Sequence, residues 1–170
     1  MKKLYDAIRT IPDFPKKGVL FRDITPLINN NALFAESIEL FAKQVPSDTT
    51  KIVAIESRGF IFGGALACKL NKGFVPIRKF GKLPCKTLKH TYALEYGQDT
   101  IEIPADAFGP NEKVVLVDDV LATGGTAAAA CSLIENANAR VKKVIFLIEL
   151  KDLNGREKIK KYDIFSILSL

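Results

Sequence analysis

Apolar residues along this chain gather into short unbroken runs separated by amphipathic stretches. Lys51–Ile55, Phe74–Ile77, Val114–Val117, Val144–Glu149 and Ile164–Leu168 read as strands. Their β-branched character and continuous apolarity are what a strand covered on both faces requires. Between them, Asn31–Lys43 carries Leu33, Phe34, Ile38 and Phe41 at helical spacing, Gly59–Leu70 is rich in small residues that permit close packing, and a further helix runs from Thr126 to about Asn136. Lys2–Ile8 predicts a short helix at the N-terminus. This alternation predicts an α/β fold, a mainly parallel central sheet flanked by helices on both faces. Ligands of such sheets collect beyond the carboxyl ends of the strands. Glu56, Arg78 and Asp118 lie at three of those ends and are expected to converge on one crevice.

The segments between these elements are less regular. Pro12 and Pro15 bracket an entry that leads into Gly18–Asp23, a defined loop. Lys79–Thr91 has few periodic features and reads as a long mobile loop or the base of one. Tyr92–Glu95 and Ile101–Ile103 predict two short strands joined through Tyr96–Asp99, a hairpin projecting from the domain. Asn154–Lys158 predicts a final turn. The whole of residues 1–170 is expected to form one domain. No apolar run is long enough to cross a bilayer and MKKLYDAIRT lacks the apolar region of a signal peptide, so a cytoplasmic protein is expected. Cys68, Cys85 and Cys131 lack C-x-x-C spacing and read as free thiols, the first and last in the core and Cys85 exposed.

Charge changes the picture by its placement. The formal net charge is +6, yet between Ser57 and Leu94 there are eight basic residues and no acidic one, which leaves seventeen basic against nineteen acidic elsewhere. Such a segment suits a nucleic acid or a small polyanion. Interleaved aromatics are few and no nucleic-acid-binding motif accompanies it, so a small polyanion such as pyrophosphate is favoured.

Chemistry is densest in VVLVDDVLATGGT, Val114–Thr126. The apolar strand should end at Asp118 and Asp119. Ala122, Thr123, Gly124, Gly125 and Thr126 then form a turn whose backbone N–H groups can close on an anion, with the dipole of the following helix behind them. A Walker A loop is excluded because no Lys follows the glycine pair, and no GxGxxG fingerprint is present. Two carboxylates beside a phosphate site repel the ligand unless they bind something else, and sugar hydroxyls or hydrated Mg²⁺ are the candidates. Phosphate, polyol and metal together suggest a phosphorylated ribose.

The stretch resembles the phosphoribosyl pyrophosphate (PRPP) motif of the type I phosphoribosyltransferase family. Three more segments, FRDITPL (Phe21–Leu27), ESRGFIFG (Glu56–Gly63) and RKFGKLP (Arg78–Pro84) followed by LEYG (Leu94–Gly97), resemble its adenine-specific branch in the same order, from about Tyr5 to the C-terminus. The resemblance implies the type I phosphoribosyltransferase fold, with an N-terminal hood over about residues 1–30 and a flexible loop and hairpin over about 79–103. It implies transfer of a phosphoribosyl group from PRPP to adenine, giving AMP and pyrophosphate in purine salvage.

Site roles follow from the same resemblance. Ala122–Thr126 would take the 5′-phosphate, and Asp118 and Asp119 the ribose hydroxyls. Leu20 and Arg22 would meet the adenine edge through their backbone, Phe21 would stack on the ring, and Arg58 would lie near base and donor. Ser57, Arg58, Arg78, Lys79 and Lys82 would bind pyrophosphate. Glu95 would stabilise the purine as it loses a proton, and Tyr96 would help close the site. Mg²⁺ would be held mainly by PRPP and water, with no direct protein cage. The active form would be a homodimer with Arg78 reaching the neighbouring site. His90, the only histidine, lies in the flexible segment outside every motif and is expected to be solvated. A transferase for another base and a PRPP-sensing regulatory domain are the competing readings.

Overall fold

The computed structural model describes residues 1–93 and 97–170. Its elements are α1 (Lys2–Asp6), β1 (Arg9–Ile11), β2 (Phe21–Asp23), α2 (Thr25–Ile28), α3 (Asn31–Ala42), β3 (Lys51–Ile55), α4 (Gly59–Lys69), β4 (Gly73–Lys79), β5 (Thr87–Ala93), β6 (Gln98–Pro104), β7 (Lys113–Leu121), α5 (Gly125–Asn136), β8 (Arg140–Glu149) and β9 (Ile164–Ser169), with two short 3₁₀ turns, Lys151–Leu153 and Gly155–Ile159, before the last strand. A seven-stranded sheet runs in the order β5-β6-β4-β3-β7-β8-β9, and β1 pairs with β2 in a separate two-stranded ribbon. Strands β4, β3, β7, β8 and β9 are mutually parallel, while β5 and β6 form an antiparallel edge.

Alternation along the parallel strands sends their side chains to two cores. On β3, Val53 and Ile55 join α5 on one face, whereas Ile52 and Ala54 join the helices α1 to α4 on the other. Both faces are thus covered, which is why these strands read as unbroken apolar runs. Helix α3 begins where Asn30 accepts a hydrogen bond from the Leu33 N–H through its side chain, a standard N-cap.

Several expectations are corrected. Thr87–Thr91 is strand, not mobile loop: β5 pairs with β6 from Thr87↔Pro104 to Ala93↔Gln98, and β6 joins β4 at Arg78↔Glu102. The hairpin therefore extends the main sheet and packs on α5 instead of projecting from the domain. Alternation here is half-apolar, with His90 half-buried in β5, so no apolar run marks the strand. Strand β7 also runs through the aspartates to Leu121, because β8 keeps pairing with it as far as Glu149. Cys68 is exposed, whereas Cys131 is buried and Cys85 exposed as anticipated. The entry loop contains the ribbon β1–β2, locked at its end where Arg9 donates to the Asp23 carboxylate at 2.9 Å and Asp23 accepts from the Thr25 N–H.

Candidate active site

Strand β3 stops pairing with β7 at Ala54↔Val117, while β7 continues to Leu121 along β8 alone. The missing neighbour leaves an opening above the end of β3. A crevice of 480 Å³ occupies it, floored by Asp118 and Asp119, walled by Glu56–Arg58 and Arg78–Lys79, and closed on one side by the loop Ala122–Thr126. The three strand ends named from the sequence do meet here.

Helix α5 starts at Gly125, and Gly124 precedes it in the left-handed conformation at φ 77°. Among the described residues no protein acceptor takes a backbone hydrogen bond from Thr123 or Gly124, and the first amides of a helix lack intrahelical partners. The loop is therefore a cradle of unspent donors. Its shape depends on a contact the sequence did not disclose. Gly155, in the second 3₁₀ turn, is buried against it so closely that a Cβ there would stand 2.2 Å from the Ala122 carbonyl oxygen, and a Cβ on Gly124 would stand 2.2 Å from the Gly155 oxygen. Two glycines let two backbones touch. Ile159, fully buried, and the paired Arg156–Glu149 contacts at 2.6 and 2.7 Å hold that turn in place. The NG dipeptide at Asn154-Gly155 is the one signal in the sequence, and by itself it marks only a turn.

Burial raises the Asp118 carboxyl well above the ordinary aspartate value, and the adjacent Asp119 charge adds to the effect. Asp119 is raised too, by burial, with the Arg58 guanidinium opposing. Arg58 Nη2 lies 2.8 Å from Asp119 Oδ2, but its N–H is not aimed at that oxygen, which stays buried without a hydrogen-bond donor.

Arg58 links the crevice to the β1–β2 ribbon. Its Nη1 donates to the Arg22 carbonyl at 3.1 Å and its guanidinium stands 4.9 Å from the Phe21 ring centroid. Phe14 packs edge-on against Phe21 at 5.1 Å, and Phe14 and Leu20 are exposed beside it. Leu20, Phe21 and Arg22 do not line the crevice itself; Arg58 is the side chain common to both regions.

On the opposite wall Arg78 Nε donates to Glu56 at 2.7 Å and its Nη1 to the Lys82 carbonyl at 3.0 Å. Lys79 lines the crevice 3.3 Å from Asp99. Lys82 contributes no side chain to the lining; its backbone N–H donates to the buried Glu102. The basic segment therefore divides. Arg58, Arg78 and Lys79 face the crevice, Lys69 pairs with Glu39, and Lys89 covers the Phe80 ring at 4.1 Å. Glu95 and Tyr96 lie outside the described residues. Tyr92 and Asp99, on the two strands flanking that segment, line the crevice and were not anticipated.

An amide cradle with two carboxylates beside it and cations on the facing walls is suited to a phosphorylated sugar bearing a second anionic group. A family model described as "Phosphoribosyl transferase domain" matches residues 25–169. An adenine phosphoribosyltransferase of Lachnoclostridium phytofermentans is 49% identical over 99% of this chain and 97% of its own length. The crystal structure of adenine phosphoribosyltransferase from Thermoanaerobacter pseudethanolicus superposes with a TM-score of 0.95 at 48% identity, covering 99% of both chains. That of the Saccharomyces cerevisiae enzyme, complexed with an imino-altritol bisphosphate and adenine, reaches 0.92 at 41% identity over 98% of this chain and 97% of its own. The chain belongs to the phosphoribosyltransferase family and, within it, to the adenine phosphoribosyltransferases.

Proposed function

We propose that this protein transfers the 5-phosphoribosyl group of PRPP to N9 of adenine, releasing AMP and pyrophosphate as a purine-salvage step. The observation that carries the reading is the convergence of the Ala122–Thr126 cradle, the Asp118–Asp119 pair and the Arg58, Arg78 and Lys79 cations on one crevice, with the aromatic hood joined to it through Arg58.

In this reading the cradle amides hold the 5′-phosphate and Asp118 and Asp119 accept from the ribose 2′ and 3′ hydroxyls. The amides and side chains of Ser57 and Arg58, with Arg78 and Lys79, take the diphosphate. Lys82 supports it through its carbonyl, which holds Arg78. Adenine lies under the hood, with Phe21 on its face and the Leu20 and Arg22 backbone at its edge. The Arg22 carbonyl already accepts from Arg58, so base and donor are sensed by one guanidinium.

Departure of diphosphate leaves an oxocarbenium-like ribose. The chain stabilises that separation of charge with cations at the leaving group and carboxylates at the sugar, in a site that limits water. Mg²⁺ belongs to this reading as a partner of PRPP, where it neutralises the leaving group. The carboxylates of Asp118 and Asp119, which line the crevice, would suit the waters such an ion carries. Glu95 supports proton loss from the purine and Tyr96 helps cover the site; both follow Tyr92, which already lines the crevice.

We further place the enzyme in the cytoplasm, where three free thiols are stable. Among the described residues no helix is long and apolar enough to cross a membrane. Pairing of two copies, with Arg78 serving the neighbouring site as well, belongs to the same reading. Release of pyrophosphate from PRPP in the presence of adenine, hypoxanthine, guanine or uracil tests the assignment. Turnover with adenine and little with the others is expected, and equal turnover of hypoxanthine would refute the choice of base.

A further inference from the structure

Tyr92 has no part in the assignments above, yet it joins two of the site's components. Its hydroxyl lies 3.2 Å from Thr126 Oγ1. Thr126 is the second residue of α5 and belongs to the phosphate cradle, whereas Tyr92 belongs to β5, the strand that leads into the segment carrying Glu95 and Tyr96. The ring is half-buried and packs against the same core as α5. Its cross-strand partner is Asp99, which pairs with Lys79 at 3.3 Å. One hydroxyl thus ties the hairpin to the cradle.

Ligand chemistry sets the direction of this bond. A phosphate dianion only accepts, so Thr126 can bind it through the hydroxyl only by donating its single hydrogen. That leaves a lone pair on Thr126 Oγ1 as the acceptor for Tyr92. Burial raises the tyrosine's ionisation above the ordinary phenol value, the Thr126 bond opposing and the nearby Asp99 carboxylate adding to the rise, so the phenol keeps its proton; Asp99 is itself engaged by Lys79, which leaves Thr126 Oγ1 as the acceptor.

We propose that Tyr92 is a positioning residue for the 5′-phosphate: it donates to Thr126 Oγ1, turns the threonine hydrogen toward the phosphate, and thereby couples occupancy of the cradle to the strand that carries the catalytic segment. The proposal rests on the phosphoribosyl reading of the site. Donation into Thr126 polarises the hydroxyl and strengthens its own bond to the anion. By linkage, a bound phosphate strengthens the attachment of β5 to α5 to the same extent. Ligands lacking a 5′-phosphate have no use for the relay.

Calorimetric titration of AMP and of adenosine against the wild type, Tyr92→Phe, Thr126→Val and the double variant tests this, with Tm measured for each. Tyr92→Phe keeps the packing and is expected to fold. AMP affinity should fall about fivefold, the equivalent of one hydrogen bond, with adenosine unchanged, and on the Thr126→Val background the substitution should have no further effect. Unchanged AMP affinity, an equal loss for adenosine, or full additivity of the two substitutions overturns the relay. A wild type that makes AMP from adenine and PRPP while Tyr92→Phe binds AMP equally well removes this inference alone; a wild type that neither makes nor binds AMP removes the reading of the site with it.

Discussion

Gly155 lies outside the crevice and carries no functional group, yet its replacement by alanine is expected to damage donor binding severely. The added Cβ would stand 2.2 Å from the Ala122 carbonyl oxygen, 3.0 Å from the Gly124 nitrogen and 3.0 Å from Leu121 Cδ1. Non-bonded carbon and oxygen require more than 3 Å or so, so relief needs a displacement of about 1 Å. Backbone dihedrals do not oppose the substitution, since Gly155 is not among the positive-φ glycines. Sterics alone decide it. The 3₁₀ turn is pinned by Ile159 and the Arg156–Glu149 pair, so the movement falls on Ala122–Gly124. Overpacking of this kind costs about 1–3 kcal/mol, within the roughly 5–15 kcal/mol that holds a domain folded. A cradle displaced by about 1 Å can lose on the order of 100-fold in catalysis. Steady-state kinetics with varied PRPP should therefore show kcat/KM for PRPP falling by tens to about 100-fold with a small loss in Tm. Gly109→Ala, where a Cβ would meet only Glu112 Oε1 at 3.8 Å, serves as the control and should be neutral. A Gly155→Ala enzyme within twofold of wild type in kcat/KM for PRPP would refute the argument that this contact shapes the cradle.

Two further substitutions separate charge from shape. Asp118→Asn should cut turnover by about 100-fold while raising Tm at neutral pH, because it removes a carboxylate whose ionisation burial opposes and keeps the oxygen that accepts from the Asp119 N–H. A folded-state value raised above the unfolded one means that stability is lost as pH rises through it, so the Tm advantage of the variant should vanish as pH falls below 3.8; thermal scans across pH check this, and an advantage that persists in acid would contradict it. Glu102→Gln should act in the opposite sense. Burial opposes its charge, but hydrogen bonds from the Leu83 N–H, the Thr87 hydroxyl and the Lys82 N–H outweigh it and hold the carboxyl below 4.5. That stability is present above the unfolded value and lost as pH falls through the folded one, so the variant should be less stable at neutral pH by about 1.5–3 kcal/mol and converge with wild type in acid. Denaturant titration at both pH values measures the difference, and equal stability at neutral pH would remove Glu102 as the anchor of the Lys82–Leu83 loop.

Much of the architecture is legible in the sequence. Lys51–Ile55 is strand with the bounds read from its apolar run, and the helices Gly59–Lys69 and Gly125–Asn136 begin within a residue of the expected positions. Long-range pairing was not legible. Thr87–Ala93 alternates weakly because one of its faces is only partly covered, and β7 outlasts its apolar run because β8 supplies the hydrogen bonds that its side chains do not advertise. Arg58 stands between Phe21 and Asp119, while Glu56 is taken by Arg78; neither pairing is marked by spacing along the chain.

Taken alone, the sequence determined the class of fold and the chemistry available to it: apolar runs dictate buried parallel strands, and an acid pair followed by a small-residue turn dictates what the end of one strand can bind. Those are local consequences of side-chain type and spacing. Only the tertiary structure decided that β7 would lose its β3 neighbour beyond Val117 and open a crevice there, that Gly155 would support the cradle from a distant part of the chain, and that Tyr92 would reach Thr126. These depend on which backbones approach one another, and glycine or a lone hydroxyl marks such contacts without naming the partner. Proximity between segments distant in sequence is a property of the packed sheet, and no local pattern carries it.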